Sequence, residues 1–209
     1  MITTNDELVL NLRERAPAFF AASLFAPAEC RDAYRVLSAF LMEMEHVLAL
    51  ATDPMMSAIR FTWWSEQLEA MPHGRVERHP LNEGLLDVVK TNEDVLPILL
   101  AMVHRAHDAL DNNENAFLHR DHRQALWAQA CCAMGQVIQP VPNNDPLSKL
   151  GSALFVHMMT DESAIAPDFR DLPRAYAPLW LPLVHKGKRG PVGPLSLVKM
   201  LWAATRGRI

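Results

Sequence analysis

The sequence has almost none of the signals of β-structure, secretion or membrane insertion. No segment alternates apolar and polar residues over the length of a strand, and no Asn-Gly or Asp-Gly pair separates two β-branched runs. No apolar run approaches the length of a membrane span, and the first residues lack the basic start and apolar core of a secretory signal. We therefore expect a helical, cytoplasmic protein.

Cysteines are few, and their spacing does not suggest a metal site. Cys30 stands alone and Cys131 and Cys132 are adjacent, so there is neither a Cys-x-x-Cys pair nor an even disulfide framework. This usage fits a reducing compartment. The sequence also lacks a Gly-rich phosphate loop, a Ser-His-Asp signature and a basic face interleaved with aromatics. We expect no nucleic-acid binding.

Helical periodicity is present along most of the 209 residues, half of which are hydrophobic. A chain of this length can bury one sizeable core, so we predict a single all-α domain over residues 1–209. Asp53 suits an N-cap and Pro54 suits the first position of the helix that follows. The predicted helices cover residues 6–15, 18–25, 28–51, 54–70, 81–90, 93–112, 121–138, 146–159 and 195–206, and prolines break the stretch 167–194 into loop and short helix.

The most informative segment runs from Ala39 to Trp64, AFLMEMEHVLALATDPMMSAIRFTWW. It joins a carboxylate-bearing helix to an Asp-Pro helix start and then to an Arg-x-x-Trp-Trp. This order resembles the squalene/phytoene synthase family, and in particular a shorter branch with the pattern AFNxE, a spacer and EPMxGxIRLxWW. The residues in register with that pattern are Phe40, Glu43, Pro54, Met55, Ile59, Arg60, Trp63 and Trp64.

The resemblance implies a trimmed isoprenoid synthase helical bundle. Enzymes of the family bind two allylic diphosphates through Mg²⁺, which takes oxygen ligands, and they place carboxylates four residues apart on one helix face for this purpose. Here Glu43 has Val47 and Ala39 at those spacings, and Glu45 lies about 200° around the helix from it. The second motif begins well at Leu150 and then fails, since its only carboxylates are the adjacent Asp161 and Glu162.

Two functions remain open. In the first, the protein is non-catalytic and needs no cofactor, like the mitochondrial complex I assembly factor of this family, and it binds a protein client or an isoprenoid-like ligand. In the second, it is a prenyltransferase condensing two prenyl diphosphates, with Glu43, Asp161 and Glu162 as a reduced set of Mg²⁺ ligands. The eroded motifs favour the first function, because a single carboxylate position is a poor anchor for a metal cluster.

The same segment supplies candidate ligand-binding residues, namely Glu43, Arg60, Trp63 and Trp64. Arg60 could bind a diphosphate through two parallel hydrogen bonds. Alternatively, Arg60 pairs with Glu43 from a neighbouring helix while the tryptophans fill the core.

Two further polar patterns have a functional and a structural interpretation. The first comprises His104, His107, Asp108 and Asp111, which share one helix face that could hold a transition metal or could simply be solvated. The second is the C-terminal segment, which carries only basic charges from Lys186 onward and predicts an amphipathic helix. That helix could contact the inner membrane peripherally or pack on the bundle.

Overall fold

The computed structural model describes residues 4–49, 54–111, 116–140, 144–159, 176–184, 199, 200 and 203. Most of these residues are helical and none of them lies in a strand, as the sequence predicts. The α-helices are α1 (Thr4–Arg15), α2 (Pro17–Ser23), α3 (Arg31–Ala49), α4 (Pro54–Ala70), α5 (Pro80–Thr91), α6 (Val95–Asp111), α7 (Ala116–Ile138), α8 (Asp145–Met159) and α9 (Ala177–Trp180), with 3₁₀ turns at Met71–His73 and Leu181–Val184.

Helix α3 is the centre of the bundle and packs against α1, α2, α4, α5, α6 and α7. Its apolar residues recur every three or four positions, as Tyr34, Leu37, Leu41, Met44 and Leu48 do, and all of these are buried. A central helix needs more than one apolar face, so α3 presents apolar side chains in several directions. This position fixes where its two carboxylates, at 43 and 45, can point.

The second half of the chain packs tightly onto this centre. Helix α7 contacts α3, α6 and α8, and its Trp127 is fully buried. The short helix α9 is tied to the centre by the Tyr34 hydroxyl, which donates to the carbonyl oxygen of Pro178 at 2.9 Å. One hydrophobic cluster runs from Leu12 of α1 to Met200 and Ala203, so the described helices share a core.

Several predicted boundaries need correction. Helix α7 begins at Ala116 and not at Asp121, because the exposed Asp121 is tolerated on the solvent face of a helix as well as at a cap. The short helix predicted within 167–194 is confirmed, since the described part of that stretch contains α9 and a 3₁₀ turn. The predicted N-cap Asp53 and most of the predicted helix 195–206 lie outside the described residues. In the described part of the chain, no helix has the length and apolarity needed to cross a membrane.

Candidate functional site

A cavity of about 360 Å³ lies beside Glu43, where α1, α3, α4 and the start of α5 meet. Its polar wall includes Glu43 of α3, Arg60 of α4, Arg15 of α1 and His79 at the N-cap of α5. Its apolar wall includes Leu8, Leu12, Ala39, Met42 and Leu81. Small-molecule sites commonly occupy roughly 300–1,000 Å³. The cavity is therefore at the small end of that range and suits an amphiphilic ligand.

Glu43 sits between two arginines. Arg60 Nη2 lies 3.4 Å from Glu43 Oε1, and Arg15 Nη1 lies 3.8 Å from Glu43 Oε2. Each carboxylate oxygen therefore faces a guanidinium, and the Glu43 side chain is only 15% exposed. The pairing of Arg60 with Glu43, one of the two interpretations of the sequence, is confirmed. The contribution of Arg15 was not foreseen.

Two histidines lie near the arginines that pair with Glu43. Burial lowers the pKa of His46, which follows Glu43 by one helical turn, and the nearby Arg15 lowers it further against the opposing effect of Glu43. His79 Nδ1 accepts a hydrogen bond from the backbone N–H of Leu81 at 3.2 Å. The Nδ1 atom of His79 therefore caps the N-terminus of α5.

Trp63 and Trp64 hold α4 to the segment before α5. Trp64 is fully buried and packs edge-on against Phe40, with ring centroids 5.3 Å apart. Trp63 is half-buried, and its indole N–H donates to Glu77 at 3.2 Å. Both indoles also pack against His79. Neither tryptophan is among the described residues that line the cavity, so a ligand-binding role for them remains a prediction.

A second carboxylate network, centred on Glu45, lies on the opposite side of α3. Arg123 of α7 binds the Glu45 carboxylate through two nitrogens, with Nε 3.1 Å from Oε2. The indole N–H of Trp127 donates to Oε1 at 2.8 Å, and the Arg123 guanidinium stacks on the Phe155 ring. Glu45 is buried, and its charge is balanced inside the bundle.

Sequence reasoning missed this network although two signals were present. Glu45 lies two residues after Glu43 and so had to face another helix. Arg123 and Trp127 are four residues apart and share one face of α7. The position of Arg123 inside the bundle depends on how α7 packs, which the sequence does not show.

The described residues do not fit a Mg²⁺ cluster at Glu43. The second carboxylate that lines the cavity is the exposed Glu7 of α1, and two arginines already hold Glu43. Within the described ranges, no three His, Cys, Asp or Glu side chains are grouped so that they could hold a metal ion. The other proposed ligands, Asp161 and Glu162, lie outside the described residues.

Side chains on the polar face of α6 contact one another and α7. His107 Nδ1 lies 3.4 Å from Asp111, and Arg105 lies 3.7 Å from Asp108. His122 of α7 also approaches Asp108, at 3.8 Å. The first two contacts lie within α6, and the contact of His122 with Asp108 joins α7 to α6.

The comparisons with known proteins support the resemblance seen in the sequence. A family model described as squalene/phytoene synthase matches residues 12–126, which is more than half of the chain. The match runs from the end of α1 into α7, and it includes all the residues of α3 and α4 that line the cavity. No curated protein and no solved structure gives a match.

Proposed function

The chain belongs to the squalene/phytoene synthase family, and we propose that it is a binding member that does not condense prenyl diphosphates. The observation that carries this proposal is that both carboxylates of α3 already have partners within the chain. Glu43 is held by Arg15 and Arg60, and Glu45 is held by Arg123 and Trp127. Each carboxylate is therefore already paired with a cation of the chain itself.

The cavity suits one amphiphilic anion. Arg15 and Arg60 each have further N–H donors beyond the one that faces Glu43, and guanidinium donors match phosphate oxygens well. The apolar wall can contact one hydrocarbon chain. A volume of about 360 Å³ does not accommodate two long prenyl chains together, which a condensation would require.

In the cell, this binding role would serve the assembly of a respiratory complex. The support is the resemblance of Ala39–Trp64 to the shorter branch of the family, which includes a complex I assembly factor. Deleting the gene should lower the activity of that respiratory complex and leave carotenoid and hopanoid levels unchanged. The opposite result would favour a biosynthetic enzyme.

The direct test is to measure binding and turnover on the same sample. Purified full-length protein with Mg²⁺ and farnesyl or geranylgeranyl diphosphate should show calorimetric binding, no condensed product and no released pyrophosphate. Replacing both arginines, as Arg15→Gln/Arg60→Gln, should weaken binding at least about tenfold, because two charged hydrogen-bonding groups are lost.

The control is Glu66→Ala, which changes an exposed carboxylate of α4 away from the cavity. Product formation that Glu43→Ala abolishes and Glu66→Ala preserves would overturn the proposal and establish a prenyltransferase. An absence of both binding and turnover would exclude a prenyl diphosphate as the ligand.

A further inference from the structure

A second and larger depression, of about 580 Å³, lies between α3 and α5 and reaches the end of α7. We call it the α3–α5 groove. Its floor is apolar and includes Leu8, Ala33, Val36, Val88 and Val137. It is separate from the cavity at Glu43, with which it shares only Leu8 among the described lining residues.

The groove begins where the two helices touch. A Cβ built on Gly84 of α5 would lie 2.8 Å from Val36 Cγ2 of α3, so the glycine allows the backbone of α5 to approach Val36 closely. Beyond this contact the two walls extend from Glu29 to Val36 and from Glu83 to Thr91. At 1.5 Å per residue each wall is about 10–12 Å long, which corresponds to two helical turns.

Both walls of the groove carry negative charge. Glu29 and Asp32 lie on the α3 side, and Glu83 and Asp87 lie on the α5 side. Asp32 accepts a hydrogen bond from Arg35 at 3.2 Å, whereas no described Lys or Arg forms an ion pair with the other three. No Lys, Arg or His is among the described residues that line the groove.

We propose that the α3–α5 groove binds a cationic amphipathic helix of a partner protein. Apolar side chains spaced three and four residues apart would enter the floor, and lysines or arginines beside them would face the carboxylates on the walls. The groove length matches two turns of such a helix. Anionic lipid and nucleic acid are disfavoured, because both would face the same carboxylates. This proposal does not depend on what the Glu43 cavity binds.

The test uses a fluorescent helical peptide with leucines at i, i+3, i+4 and i+7 and lysines at the other positions. Fluorescence anisotropy at low ionic strength should show saturable binding to the full-length protein. The variant Glu29→Gln/Glu83→Gln should raise the Kd about tenfold, since it removes one charge from each wall. Added salt should reduce that difference by screening the exposed charges.

The matched control is Glu66→Gln/Glu69→Gln, which makes the same chemical change on the exposed part of α4. It should leave the Kd within about twofold of the parent protein. Ala33→Arg, which places a bulky cation in the floor, should abolish binding. Because Cys30 also lines the groove, the bound peptide should slow alkylation of Cys30.

Several outcomes would overturn the proposal. They are equal weakening by both double variants, equal binding of a peptide with glutamate in place of every lysine, and unchanged alkylation of Cys30. A dimer in sedimentation equilibrium that Ala33→Arg dissociates would assign the groove to a second copy of the chain. Binding to phosphatidylglycerol vesicles that the same variants abolish would assign it to a membrane.

Discussion

At the scale of single residues, the Glu45–Arg123 pair should matter more for stability than any exposed ion pair of the protein. Removing one member of a buried pair leaves the other charge without a partner, at a cost of about 3–5 kcal/mol. We predict that Arg123→Ala lowers the free energy of unfolding by about that amount, measured by urea denaturation. Arg105→Ala, which removes an exposed pair with Asp108, should change it by about 0.5 kcal/mol or less.

A double variant separates loss of the pair from loss of packing. Glu45→Gln/Arg123→Met removes both charges and keeps an acceptor for the Trp127 indole, so it should be clearly more stable than Arg123→Ala. Equal instability of the two variants would show that packing of the Arg123 side chain against Phe155, and not the charge, is what the bundle requires.

Of the two carboxylates of α3, the sequence identified a partner for one. The pairing of Glu43 with Arg60 was one of two interpretations of Arg60, and the two helices that carry these residues are consecutive within the segment Ala39–Trp64. Glu45 and Arg123 are far apart in the sequence, and only the packing of α7 on α3 brings them together. A buried carboxylate needs a cation beside it, but the sequence does not show which distant helix supplies that cation.

At the scale of helices, the contact between α7 and α8 depends on Gly151. A Cβ on this residue would lie 2.3 Å from the Trp127 carbonyl oxygen and 2.5 Å from Ala128 Cα. Backbone atoms cannot move aside as a flexible side chain can, so Gly151→Ala should force α8 away from α7. We predict a loss of about 1–3 kcal/mol in the free energy of unfolding, although alanine is the better helix former.

Ser152→Ala is the matched control, because the neighbouring residue on α8 is only half-buried. It should leave stability unchanged within about 0.5 kcal/mol. If Gly151→Ala proved as stable as Ser152→Ala, the close approach of the two helices would not be required for the fold.

The sequence predicted the start of a helix well where a local residue, such as proline, sets that start. Pro54 starts α4 as predicted, and α8 begins within a residue of its predicted start at 146. A short helix was predicted somewhere in 167–194, but the position of α9 was not, because four residues containing Pro178 have little intrinsic tendency to form a helix. Its place is fixed by tertiary contacts, among them the Tyr34 hydroxyl on Pro178.

At the scale of the whole molecule, apolar periodicity was enough to predict the helical class, because nearly every helix buries an apolar face against α3 or α7. The segment Ala39–Trp64 was enough to predict the family that the family model shows. The positions of the cavity and of the α3–α5 groove could not be predicted, since each is formed by residues from at least three helices. The single domain over 1–209 remains a prediction.

The three cysteines provide a test of that single domain. Cys131 and Cys132 lie in α7 within the core, and burial raises the pKa of both thiols, that of Cys132 to about 11. Cys30 is half-buried, and burial together with Glu29 raises its pKa. Because alkylation requires the thiolate and access to it, iodoacetamide at pH 8 should modify Cys30 in the native protein and spare the other two.

In urea, modification of Cys131 and Cys132, followed by mass spectrometry, should begin at the same midpoint as the loss of helical circular dichroism, because one core connects all the described helices. Modification of Cys131 at clearly lower urea would mean that α7 and α8 unfold separately from the helices around α3, and the single cooperative domain would then be wrong.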